Sequence, residues 1–77
     1  MLKRHRQLLS FVEALGGHVG DLDFQKLLFL YCQDEEPDLY EFVPYKFGAF
    51  SFTSYADRRS LITRGLIEAE HGWTLTR

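Results

Sequence analysis

Seventy-seven residues with a single cysteine allow one small core and exclude a disulfide framework. At this size a core buries only about 60% of the unfolded chain's surface, so every large apolar side chain is needed. A net charge of −2 supplies no global positive field, so contact with nucleic acid would have to come from a local basic patch.

Cys32 stands inside an apolar run, as a small hydrophobe in a reduced compartment does. The opening Lys3-Arg4-His5-Arg6, followed by apolar residues, imitates a secretory leader. Glu13 interrupts the apolar part, and no run reaches membrane-spanning length, so the expected location is the cytoplasm.

In chain order, Leu8, Phe11, Val12 and Leu15 recur at helical spacing and predict a first helix over residues 3–15, stopped by Gly16-Gly17. Lys3, Arg4 and Arg6 lie in its first turn, the wrong sign for the positive end of a helix dipole. Two readings follow: a solvated terminus, or cations that contact phosphates or an acidic partner. His18-Val19 fits a short strand pairing with a later hairpin. Asp21 or Asp23 then caps a second helix through Cys32 that is apolar nearly all round, with Phe24, Leu27, Leu28 and Tyr31 on one side and Gln25 and Lys26 as its wet edge.

The acidic loop Asp34-Glu35-Glu36-Pro37-Asp38 ends that helix. It lacks the alternating ligands and central glycine of a calcium loop and reads as a solvated turn. From Tyr40 to Ser51 both strand faces are apolar, and Pro44 cannot donate to a ladder. The expectation is an edge strand or strap laid over helices 2 and 3, bending at Gly48. Tyr40, Phe42, Tyr45, Phe47 and Phe50 crowd this strap beyond what one face of a small sheet can hide, which marks them as candidate interface residues.

Ser51, Thr53 and Ser54 offer caps for a third helix. Tyr55, Arg58, Leu61 and Ile62 would face inward, leaving Thr53, Asp57, Arg59, Ser60, Thr63 and Arg64 outward. A second centring buries Phe52, Ala56 and Arg59 instead. With the first, Arg58 is the structural arginine and should find a carboxylate such as Asp21, Asp23 or Glu41. Gly65 stops the helix. Leu66 to Glu70 and Trp73 to Thr76 then form a hairpin around His71-Gly72, with Ile67 and Trp73 or Leu75 returning to the core.

Helix passing directly into hairpin predicts an α+β fold: one small winged helix-turn-helix domain over residues 1–77, with three helices, a β-hairpin wing and an extra aromatic strap between helices 2 and 3. An enzyme is not expected. The three histidines and Cys32 lack metal-ligand spacing, Gly16 to Gly20 is too short to cradle a phosphate, and so small a core leaves little room for a cleft. No cofactor, metal or small-molecule ligand is expected. Two functions stay open. In one, helix 3 enters a double-stranded DNA groove through Arg59, Ser60, Thr63 and Arg64, while Lys3, Arg4, Arg6 and Lys46 touch backbone. In the other, the strap docks a protein partner or a second copy. Glu68 and Glu70 on the wing would repel phosphates.

The closing pattern Ser51-Phe52-Thr53-Ser54-Tyr55, Leu61 to Ile67 and Gly72-Trp73-Thr74-Leu75-Thr76 resembles the ending of many bacterial winged-helix proteins, PadR-like regulators included. Asp23 to Tyr31 followed by Tyr40 to Phe52 looks like a winged-helix module at the front of some bacterial proteins whose larger second domain has no established function. The same stretch is similar, more loosely, to Panacea antitoxin-type domains. These likenesses imply a winged helix that regulates or positions something else, as a free-standing chain or as the N-terminal part of a longer protein.

Overall fold

Leu8 and Val12, one helical turn apart, form with His5 the buried side of the first helix, α1 (Lys3–Ala14). A computed structural model describes residues 2–46, 48–68, 70 and 72–76. Over them the chain runs α1, β1 (His18–Val19), α2 (Asp21–Asp34), β2 (Val43–Tyr45), β3 (Gly48–Phe50), α3 (Phe52–Thr63) and β4 (Trp73–Thr74). This is a small α+β fold of three helices and two two-stranded antiparallel sheets.

Two helices stop where the glycines predict, by the same device. After α1, Gly16 and Gly17 hold φ of 98° and 87°, and their N–H groups donate to the carbonyls of Glu13 and Val12. After α3, Gly65 holds φ of 77°, and the N–H groups of Gly65 and Leu66 donate to Ile62 and Leu61. The left-handed residue turns the chain back over carbonyls that would otherwise lack partners. The start of α2 differs from expectation. Gly20 occupies the cap position without a side-chain bond, and Asp21 and Asp23 lie in the first turn, where negative charge suits the helix end.

β4 is the strand on which the return of the chain is built. Along one edge it pairs with β1, His18 with Thr74 and Val19 with Trp73, as the two-residue strand after Gly17 predicts. Along its other edge the chain that follows α3 comes back: Ile67 bridges Leu75, and the Glu68 N–H donates to the Thr74 carbonyl at 2.8 Å. The predicted turn at His71-Gly72 lies partly outside the described residues, since His71 is not among them. Trp73 and Ile67 are buried, and Leu75 is half-buried. The Trp73 ring stacks on Phe24 at 3.6 Å between centroids, which locks the returning strand onto α2. Leu8, Val12, Leu28 and Leu61 close the core around that pair.

The aromatic strap is not one strand. Val43 pairs with Phe50, Pro44 with Ala49 and Tyr45 with Gly48, so the chain reverses after Tyr45 into a β-hairpin. Gly48, at φ 118°, opens the returning strand instead of ending the outgoing one. Because Pro44 has no N–H, the Pro44–Ala49 pair must be the non-hydrogen-bonded kind, with the ladder bonds at the pairs on either side. The hairpin lies across α2 and the start of α3, as a strap was expected to: Phe42 meets Phe29 edge-on, and Phe50 touches Phe52 and Tyr55. Among the described residues no helix is long and apolar enough to cross a membrane.

Candidate functional site

Two buried polar clusters fix α3, and both overturn outward placements read from the helical pattern. Asp57, expected on the solvent side, is 3% exposed. Its carboxylate accepts from Arg4 Nε at 2.6 Å and a second Arg4 nitrogen at 2.9 Å, from the Tyr40 hydroxyl at 2.6 Å, and from His5 Nε2 at 3.1 Å. A carboxylate only accepts, so the His5 imidazole donates through Nε2. Burial pushes the Asp57 carboxyl upward, but the donors Arg4, Tyr40 and His5 together outweigh it and hold the group below the usual carboxylate range. Burial, reinforced by the bond to Asp57, pushes the Tyr40 phenol far above its ordinary value.

The second cluster sets the start of α3. Ser51 caps the helix, its hydroxyl accepting from the Ser54 N–H at 3.1 Å. Gln25, expected on the wet edge of α2, is buried beneath it. Its amide oxygen accepts from the Ser51 N–H at 3.0 Å and its amide nitrogen donates to the Ser54 hydroxyl at 3.1 Å. The cap and α2 are thereby tied together.

Arg58 is the structural arginine, as predicted, though by other contacts. Its guanidinium donates to the Gly72 carbonyl at 2.6 Å and lies 5.6 Å from the Trp73 ring centre, not against Asp21, Asp23 or Glu41. Tyr55, expected inward, is exposed; the inward side of α3 is Ser54, Asp57 and Leu61.

Of the predicted nucleic-acid residues, Arg59, Ser60, Thr63 and Arg64 are exposed together along α3. Since Asp57 is the only carboxylate of α3 and is buried, this outward side bears no exposed acid. Arg4 is withdrawn from the predicted set because Asp57 holds it bidentately. Lys3 and Arg6 remain exposed and border a depression with Phe11 and Tyr31 between α1 and α2, and Lys46 is exposed beyond β2.

Of the predicted interface residues, Tyr40 is corrected: it is 5% exposed, its ring in the core and its hydroxyl on Asp57. Phe47 lies outside the described residues. Phe42 and Phe50 are half-buried and Tyr45 is exposed. Phe50 and Tyr45 join Phe52 and Tyr55 of α3 in a connected group of four rings, with centroids 4.8–5.6 Å apart. Tyr45 is 51% exposed, and Phe52 58%. Two open depressions flank the group and share Tyr45, Gly48 and Ala49. One, of about 180 Å³, adds Leu22, Gln25, Lys26 and Tyr55; the other, of about 410 Å³, adds Phe29, Phe42, Val43 and Pro44.

Phe52, Tyr55 and Leu22 were not singled out for this surface by pattern reading. The available signal was their excess: helices 2 and 3 carry more large apolar residues than one buried side accepts. Comparison with protein-family models, with curated proteins and with solved structures gives no match.

Proposed function

We propose that this chain is a winged-helix protein-docking module, with β4 and the chain before it as the wing and the β2–β3 hairpin with the start of α3 as the contact face. The observation that carries the reading is the group of four rings in which Tyr45, Phe52 and Tyr55 are exposed around the half-buried Phe50. A chain this small has few aromatics to spare from its core, and exposed, contiguous, ring-rich surface is the composition that protein interfaces favour. The net charge of −2, the wing carboxylates and the loss of Arg4 to Asp57 all weigh against the phosphate backbone as the main target.

A photocrosslinker placed at Tyr45, and separately at Thr63, tests the reading in cells. The docking module gives a discrete protein adduct from position 45 and none sensitive to nuclease from position 63. Nuclease-sensitive adducts at 63 with no protein adduct at 45 overturn it.

A second reading has its own observation: the acid-free outward side of α3, with Arg59, Ser60, Thr63 and Arg64 in one row. In that reading the row enters a DNA groove, and affinity for duplex falls linearly with salt on logarithmic axes and drops on Arg59→Ala or Arg64→Ala. Absence of duplex binding at low salt removes it.

A further inference from the structure

We infer that the ring face takes an acidic amphipathic segment of a partner protein: apolar or aromatic side chains that enter the two depressions, flanked by carboxylates that meet the cations around them. This rests on the docking reading and names its partner's chemistry. The mode of contact comes from the hairpin edge. Pro44 occupies the non-bonded pair of β2, so the backbone group it turns toward the free edge has no N–H to offer. An incoming strand would find no donor at the middle of β2, which disfavours pairing along that edge, and β3 on the other side lies next to α2, so recognition falls to side chains.

The charge around the face supplies the partner's sign. Lys26 lines the smaller depression, Lys46 stands beside Tyr45, and Arg59 lies one helical turn beyond Tyr55. Asp21 is the one carboxylate among the residues that line either depression. It lies in the first turn of α2, where the helix end already offsets its charge. Within the depressions Lys26 and Asp21 balance, so the positive excess on this face of an acidic chain comes from Lys46 and Arg59 at its margin. Two copies meeting through it would oppose like charges across the rings, which disfavours a second copy as occupant.

Selection of random peptides displayed on phage against the immobilised chain tests the inference, with the Tyr45→Ser/Phe52→Ser double variant as counter-target. Both positions are exposed, and far-UV circular dichroism with Trp73 fluorescence verifies that the variant folds. Expected are peptides with an aromatic or leucine anchor next to Asp or Glu. A synthetic copy of one should bind at least ~10-fold more weakly to the double variant, as loss of interface anchors does. It should also weaken at least ~10-fold on the exposed-site variant Lys26→Glu/Lys46→Glu, with binding that falls as salt rises.

Selected peptides without carboxylates, or binding indifferent to the lysine reversal, overturn the acidic partner while leaving the docking face in place. A concentration-dependent dimer abolished by Tyr45→Ser makes a second copy the occupant, with the same consequence. Failure to select any peptide that depends on Tyr45 and Phe52 overturns both the inference and the docking reading.

Discussion

Asp57 concentrates more of the fold's specificity than any apolar residue of α3. Four donor contacts from three residues in two separate segments, Arg4 and His5 of α1 and Tyr40 before β2, converge on its carboxylate, and each donor would lose its partner if the acid were removed. Breaking a buried ion pair from one side costs about 3–5 kcal/mol, and Arg4, which is partly exposed, can regain water, so about 2–3 kcal/mol is expected for Asp57→Asn. Urea denaturation measures it directly. The pH dependence has a definite sign. Asp57 is held below its unfolded value, so its contribution is complete above the ordinary Asp range, near about pH 4, and is lost as pH falls through the folded value. The stability gap between wild type and Asp57→Asn should therefore be flat from neutral pH down to about pH 5 and close below that. A gap that grows on acidification contradicts the ionised, fully bonded carboxylate. Tyr40→Phe removes one donor to the same carboxylate and keeps the ring in the core, so a loss of about 1.5–3 kcal/mol is expected.

At the scale of elements, the β1–β4 sheet depends on backbone conformation as much as on packing. Gly72 holds φ of 70°, and a Cβ there would stand 2.7 Å from the Val19 carbonyl oxygen, an atom fixed by the β1–β4 pairing. Gly65 holds φ of 77° with open space around it. Gly65→Ala should accordingly cost only the left-handed strain of about 1–2 kcal/mol. Gly72→Ala should cost more than that, with a shift in Trp73 fluorescence that Gly65→Ala does not produce. Equal losses, measured by thermal denaturation, would show that β1 yields to the added methyl.

The helices, their glycine stops and the β1–β4 pairing were legible because each follows from local spacing of apolar residues and glycines. The β2–β3 hairpin was not, since the chain reverses at Lys46 without the Asn-Gly or Asp-Gly pair that marks a tight turn. Asp57 and Gln25 were misplaced for another reason. A polar residue on a helix is assigned outward by default, and the donors that make these two belong inside lie in other segments. The clue for Asp57 was indirect: cations in the first turn of α1, where the dipole disfavours them, need an acid elsewhere.

For the molecule as a whole, the question is whether the β1–β4 sheet belongs to the same cooperative unit as the helices. Trp73 is stacked on Phe24 of α2, its ring is approached by the guanidinium of Arg58 from α3, and its neighbour Thr74 pairs with His18 of β1. The single tryptophan thus reports contacts among three elements that α-helical circular dichroism reports separately. A domain of this length has a total stability of only about 4–12 kcal/mol, and removing a buried indole costs about 3–5 kcal/mol. Loss of the ring would therefore consume a large part of the whole, so β4 is expected to unfold together with the helices. Urea unfolding followed by Trp73 fluorescence and by far-UV circular dichroism should give coincident transitions, and Trp73→Ala should lower the stability read by circular dichroism by about 3–5 kcal/mol. A fluorescence midpoint clearly below the circular-dichroism midpoint would mean that β4 opens while the three helices stay packed. The α2–β4 stack would then be a contact added to a self-sufficient helical core, and the proposed docking face on the β2–β3 hairpin would depend on the helices and the Gln25–Ser51 tie alone.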